Sequence, residues 1–321
     1  MSHIYEALQR AEAERKSATQ TLDTPMEPEH QSLAFSQAMP ALEPVAAPPR
    51  ERWEPAAPIN PAGVPSIPST LNPSFQDDVQ RRPWNPSLDR LPALERGGVG
   101  VEQFRSLRSR IQEFRDLRSL KTILISSGLP QEGKSFIAVN LAINLARHKS
   151  SKVLLVDGDM RCSSLHHYLG SDYHPGLPDY LSGKASLLEI MQRPAENKDR
   201  DPSMAAVLNN ITFIAGGDGG DQAADLSASK RVDELLTTLA PHFDWIIIDS
   251  PPVLLVSDAV NLARACDAVL LVARSGVTTF PVAQRAQQEL KASNILGFVL
   301  NAVDKPPMSA SYYYRYESKK E

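Results

Sequence analysis

The chain has 321 residues, a formal net charge of −4 and 22% charged residues, a balance that argues against non-specific nucleic-acid binding as its main role. Its two cysteines, Cys162 and Cys266, form no CxxC pair, which leaves neither a disulfide framework nor a structural metal site and points to a reducing compartment. No apolar run reaches ~18 residues and the charged start has no apolar signal-peptide core, so the reading is a cytoplasmic protein without a membrane span.

Ser2 to Lys16 reads as a short amphipathic helix. Ile4, Ala7, Leu8 and Ala11 share one face, and Glu6, Arg10, Glu14 and Arg15 lie opposite. At about 14 residues it is marginal alone. It either docks on a surface or frays in solvent. Residues 17 to 92 hold 15 of the 26 prolines and one glycine, Gly63. Such a segment buries too little apolar surface to offset its ordering entropy, and is expected to be a disordered, extended linker of up to about 230 Å. Trp53 and Trp84 are unusual in it, and sequence does not say why.

Val101 to Arg118 is the next expected helix, with an apolar seam of Phe104, Leu107, Ile111 and Phe114. Glu102, Arg105 and Arg108 occupy a neighbouring face, which by itself reads as solvated charge. Residues 128 to 135, Gly-Leu-Pro-Gln-Glu-Gly-Lys-Ser, fit G-x-x-x-x-G-K-[ST], and the context is right. The β-branched run Ile123–Ser126 precedes them, and an apolar helix pattern from Phe136 to Ala146 follows. In such a loop the backbone N–H groups and the helix N-terminus form an anion cradle, Lys134 reaches the terminal phosphates and Ser135 holds Mg²⁺.

A second buried strand, Val153–Asp157, leads into Asp157-Gly158-Asp159-Met160-Arg161. Two carboxylates at a strand's carboxyl end suit metal coordination and proton abstraction. Residues 163 to 205 read as short helices and loops, Ile211–Ala215 as a strand, and 229 to 240 as a helix. Trp245-Ile246-Ile247-Ile248-Asp249-Ser250-Pro251-Pro252 reads as a Walker B strand whose aspartate serves Mg²⁺. A helix from Asp258, strand 268–274, helix 281–292 and strand 295–303, with Asn301 near its end, complete the pattern. Apolar strands alternating with helices predict an α/β fold with a mostly parallel sheet covered on both faces. Tyr312, Tyr313, Tyr314 and Tyr316 crowd a polar terminus after Pro306-Pro307, expected to be a flexible tail from residue 306 onward.

Taken together, the P-loop, the D-x-D-x-R, the apolar-Asp-x-Pro-Pro strand, Glu102-x-x-Arg105-x-x-Arg108 and the tyrosine cluster resemble the bacterial tyrosine kinases (BY-kinases) of capsule and exopolysaccharide systems. The resemblance covers residues 95 to 316. It implies a P-loop NTPase domain of the MinD/ParA-like deviant Walker group over 95–305, acting as an ATP-dependent autokinase. Such kinases phosphorylate their own terminal tyrosines between subunits of a ring and regulate polysaccharide polymerisation and export. The cofactors implied are ATP and Mg²⁺. The nucleotide residues would be Gly128, Gln131, Glu132, Gly133, Lys134, Ser135 and Phe136, with Asn301 at the adenine by analogy. Ser135, Asp159 and Asp249 would hold the metal, with Lys134, Asp157 and Asp159 catalytic, and Asp157 the candidate base. The phosphoacceptors would be Tyr312, Tyr313, Tyr314 and Tyr316. Glu102, Arg105 and Arg108 become a subunit-contact motif, which replaces their reading as solvated charge. The activating partner implied is a separate membrane polysaccharide co-polymerase, which would recruit a cytoplasmic kinase to the inner face of the membrane.

The chain departs from that family in places. Gln131 stands where glycine is frequent, Cys162 and Ser163 replace a frequent Arg-Pro, and the Asn-Pro before the 229–240 helix is missing. Two rival readings are a MinD/ParA-like ATPase switch and an ATP-bound scaffold without kinase activity. The first normally carries a second lysine where this chain has Leu129.

Overall fold

The computed structural model describes residues 75–95, 97–148 and 150–303. The expected N-terminal helix, the linker up to residue 74 with Trp53, and the four tail tyrosines lie outside the described residues. Eight strands form one sheet: β1 (Gln80–Arg82), β2 (Thr122–Ser127), β3 (Val153–Asp157), β4 (Met191–Pro194), β5 (Ile211–Ile214), β6 (Trp245–Asp249), β7 (Ala268–Arg274) and β8 (Ile295–Asn301). Their order is β1-β4-β5-β3-β6-β2-β7-β8. Every neighbouring pair is parallel except β4 with β5. Strand β4 was not legible in sequence, where its four residues merge into the short helices around them.

The central strands are apolar throughout because both faces are covered. Alternate side chains enter two cores. Ile123, Ile125, Leu155 and Ile247 pack under the helices Val99–Leu117 and Lys134–Ala146. Leu124, Leu154, Val156, Ile246 and Ile248 pack on the other side, under helices that include Lys230–Leu239 and Asp258–Arg264. The helix after the P-loop is buried on all sides from Ile137 to Ala146, as its unbroken apolar pattern requires. Helix Val99–Leu117 lies across it. Phe104 and Ile111 of the expected seam are buried, and Leu107 and Phe114 are packed at the edge.

The folded domain starts earlier than sequence suggests, which corrects the carboxyl end of the expected linker. Residues 75 to 92 are packed. Phe75, Val79, Trp84 and Leu91 are all buried, and β1 adds to the sheet edge beside β4. Trp84 accounts for itself here. It is 3% exposed, meets Phe213 edge-on and donates its indole N–H to Gln192 Oε1 at 3.2 Å. Proline richness did not exclude structure because the prolines sit where no ladder N–H is needed. Pro83 follows the edge strand, and Pro92 opens a single 3₁₀ turn, Pro92–Leu94. Replacing Trp84 by alanine is expected to destabilise the domain by about 3–5 kcal/mol, the cost of an emptied aromatic site. A loss under about 1 kcal/mol in urea unfolding would show that this segment is not part of the core.

Candidate functional site

The loop after β2 is held by its own residues. The Glu132 carboxylate, 1% exposed, accepts from Leu129 N at 2.8 Å and from the Thr278 hydroxyl. Ser127 Oγ donates to Leu129 O at 2.8 Å, Arg274 Nη1 to Gln131 O at 3.2 Å, and Asn301 Nδ2 to Glu132 O at 3.0 Å. Glu132 and Asn301 therefore brace the loop from behind. What Glu132 has left to offer a ligand is its backbone. The Phe136 ring is turned to Phe104 at 5.8 Å, so it too faces core. Gln131 adopts φ +62°, a left-handed conformation that costs a non-glycine residue about 1–2 kcal/mol. Gly133 has φ +94°, and a β-carbon there would meet Asn301 Nδ2 at 2.0 Å.

The acidic groups converge through strand pairing. Asp157 and Asp249 are register partners at the carboxyl ends of β3 and β6. Gly158 N donates to Asp249 O at 2.8 Å, and a β-carbon on Gly158 would come within 2.6 Å of that oxygen. Lys134 Nζ reaches across to Asp159 Oδ2 at 3.1 Å and Asp249 Oδ2 at 3.7 Å, with Ser135 Oγ at 3.3 Å. Burial pulls the Lys134 ammonium down, but Asp249 and Asp159 outweigh it, and its pKa is raised. Burial pushes Asp249 up to about 7 against the pull of Lys134.

Asp157, fully buried, has a different job locally. Its Oδ2 accepts from Ser163 Oγ (2.9 Å), Ser164 N (2.9 Å) and Leu165 N (3.0 Å), capping the helix Leu165–Leu169. Its Oδ1 accepts one bond, from Asp159 N at 3.2 Å. A carboxylate offers about four lone-pair sites, so Oδ1 is the oxygen with capacity to spare. Burial raises the Asp157 pKa, with the Leu165, Ser164 and Ser163 donors acting against it. Arg161, the arginine of D-x-D-x-R, ties this loop to the helix after β6 through Asp258 Oδ2 at 2.9 Å. Sequence reasoning missed Asp258, Thr278, Arg274 and Ser163. Each acts through a contact far along the chain or through an irregular turn, neither of which leaves a periodic trace.

The buried Asp249 oxygens accept no close hydrogen bond among the described residues, and the Lys134 ammonium and Ser135 hydroxyl beside them favour the charged form, an arrangement that suits a cation. Among the described residues no three His, Cys, Asp or Glu side chains form an all-protein metal cage. Two carboxylates and a hydroxyl suit an ion that keeps waters and leans on phosphate, as Mg²⁺ does. On helix Val99–Leu117, Glu102 pairs with Arg105, and Arg108 Nη1 donates to Asn144 O at 3.0 Å. No helix among the described residues is long and apolar enough to cross a membrane.

Gly133→Ala is expected to weaken nucleotide binding at least tenfold, since backbone strain alone is about 1–2 kcal/mol and the Asn301 brace must also move. Titration with a fluorescent ATP analogue reads it, and unchanged affinity would show that the loop tolerates both.

Residues 121–280 match the family model described as an AAA domain. EpsB of Ralstonia nicotianae, which carries a tyrosine-protein kinase name, is 33% identical over 218 residues. That is 67% of this chain but 27% of EpsB, so the chain spans about a quarter of that relative. The tyrosine-protein kinase YwqD of Bacillus subtilis is 31% identical over 218 residues, covering 67% of this chain and 86% of YwqD. Among solved structures, the kinase domain of the Escherichia coli tyrosine kinase ETK superposes with a TM-score of 0.57 at 29% identity, covering 64% of this chain and 77% of that one.

Proposed function

This chain belongs to the bacterial tyrosine-kinase family, and on that premise we propose that it is an ATP-dependent protein-tyrosine autokinase acting on its own C-terminal tyrosines. The observation that carries the proposal is the meeting of Lys134 with Asp159 and Asp249 beside Asp157, at the mouth of a P-loop. In this reading ATP lies with its phosphates on the backbone N–H groups of Gln131 to Phe136, beside Gly128, and Lys134 neutralises the β- and γ-oxygens. Ser135, Asp159 and Asp249 would hold Mg²⁺, which would supply charge stabilisation for phosphoryl transfer. The tyrosine hydroxyl passes its proton to Asp157 Oδ1 as its oxygen bonds to the γ-phosphorus. The bond from that phosphorus to the β–γ bridging oxygen breaks, and ADP leaves. A phenol has a pKa near 10, so positioning and electrostatics carry most of the rate. Asn301 serves the nucleotide from behind the loop, and a contact with the base through its carboxamide oxygen is compatible with its bond to Glu132 O.

The acceptors are Tyr312, Tyr313, Tyr314 and Tyr316, offered by a neighbouring subunit of a ring joined through the Glu102, Arg105 and Arg108 face. The activating partner is a membrane polysaccharide co-polymerase on a separate chain, which brings the kinase to the inner face of the membrane. The system served is exopolysaccharide or capsule polymerisation and export.

Lys134→Met is expected to abolish phosphotyrosine after incubation with Mg-ATP, and replacing the four tail tyrosines by phenylalanine to remove most of it. An anti-phosphotyrosine blot reads both, and undiminished signal in Lys134→Met rules the mechanism out. Four phosphates add about −6 to −8 charges to the tail, so phosphorylation is expected to expel it from an acidic pocket and loosen the oligomer. Sedimentation showing equal assembly of both forms would defeat that expectation.

A further inference from the structure

The segment from Trp84 to Glu95 forms a strap, and its hydrogen bonds include contacts with the helix that begins at Lys134 and with the short helix whose N-terminus Asp157 caps. On one side it meets the helix Lys134–Ala146. Ala93 N donates to Asn140 Oδ1 at 3.1 Å, and Asn140 Nδ2 donates to Arg90 O at 3.2 Å. Asn140 is fully buried, and its only other side-chain bond among the described residues is to Phe136 O in its own helix. Arg147, just past that helix, donates to Ala93 O through Nε at 2.9 Å and to Glu95 O through Nη2 at 2.6 Å.

On the other side the strap meets the five-residue helix Leu165–Leu169. Ser87 N donates to Tyr168 O at 2.9 Å, Ser87 Oγ to His167 O at 3.1 Å, and Asn85 N to Gly170 O at 2.9 Å. The last carbonyls of a helix have no partner within it, and here the strap supplies their donors. The approach is close. At Gly170, with φ +58°, a β-carbon would lie 2.0 Å from Asn85 O. The N-terminus of the same helix is capped by Asp157 Oδ2, through Ser164 N and Leu165 N. So one short helix has the candidate base at one end and the strap at the other. An isolated helix of that length has no stability of its own. Leu165 and Leu169 anchor it in the core, and its tilt over that anchor is set by what holds its two ends.

We propose that residues 84–95 are a positioning strap. It fixes the Asp157 carboxylate relative to Lys134 by holding the Leu165–Leu169 helix against the Lys134–Ala146 helix, with Ser87 and Asn140 as its two anchor points. This rests on the reading that Asp157 acts at the site. The strap touches none of the P-loop's internal bonds, so loosening it leaves nucleotide affinity alone and lowers turnover.

Ser87→Pro in the full chain tests this. Ser87 has φ −76°, which proline adopts, so the change deletes the N–H and hydroxyl donors and sets a ring carbon against Tyr168 O, which forces the strap off the helix end. Gly170→Ala attacks the adjoining Asn85–Gly170 contact from the other side, and Ser87→Ala, which keeps the N–H, is the conservative control. The expected result for both disruptive variants is a kcat for tail phosphorylation lower by about tenfold or more, an ATP affinity within about threefold of wild type, and amides 164–169 exchanging about tenfold faster. Ser87→Ala should stay near wild type on all three readouts. Wild-type kcat in the disruptive variants overturns the proposal, and so does reduced kcat with unchanged exchange at 164–169. Should the wild-type chain transfer no phosphate to tyrosine, the reading of function fails separately. The exchange pattern still decides the strap, and unaltered 164–169 amides in Ser87→Pro overturn it.

Discussion

Lys134 Nζ stands 3.1 Å from Asp159 and 3.7 Å from Asp249, and the rest of the fold can be traced from what is needed to keep it there. Removing a buried carboxylate and a buried ammonium from water is costly, and the mutual attraction repays it only when geometry is well fixed. The fixing is done by the sheet. Strands β3 and β6 run parallel from Val153↔Trp245 to Asp157↔Asp249, which delivers two aspartates to the same level. A register slip by one residue would turn each side chain to the other face. Both cores resist that slip, because Ile247 and Ile248 belong to different ones.

The site is thus charged and buried. Lys134 rests on Asp159 and Asp249, and on the proposed reading phosphate would take the lysine while a cation takes the carboxylates. Loop rigidity is arranged separately. Glu132, Thr278, Arg274 and Asn301 form a second layer that holds the loop's peptides from behind. Apart from Glu132, which belongs to the loop, that layer comes from the end of β7, the turn after it and the end of β8, so the loop is clamped from the side of the sheet away from the aspartates.

Two pieces of chain with no regular structure of consequence turn out to be organising elements. The Arg161–Asp258 pair joins the loop after β3 to the helix after β6. The 84–95 strap joins the helix after the P-loop to the helix capped by Asp157. Catalytic groups on separate strands need such cross-links, because strand pairing fixes backbone height but leaves the loops beyond the strand ends free to shift.

Sequence by itself determined the strand–loop–helix of the phosphate cradle, the two acidic strand ends and the parallel sheet between covering helices. Each rests on local pattern: a glycine spacing, an apolar run ending in aspartate, a period of 3.6 or 2. Tertiary structure alone decided which carboxylates face Lys134 and which caps a helix. It also turned the side chains of Glu132 and Phe136 into the loop brace and the core, and packed residues 75–95 onto the domain. Trp84, Gln192 and Phe213 lie more than a hundred positions apart across their contacts. Pro-rich composition over a window says nothing of one indole that finds such partners. Where folding information is carried by contacts between distant residues, no local pattern records it, and only the assembled sheet reveals where the strap belongs.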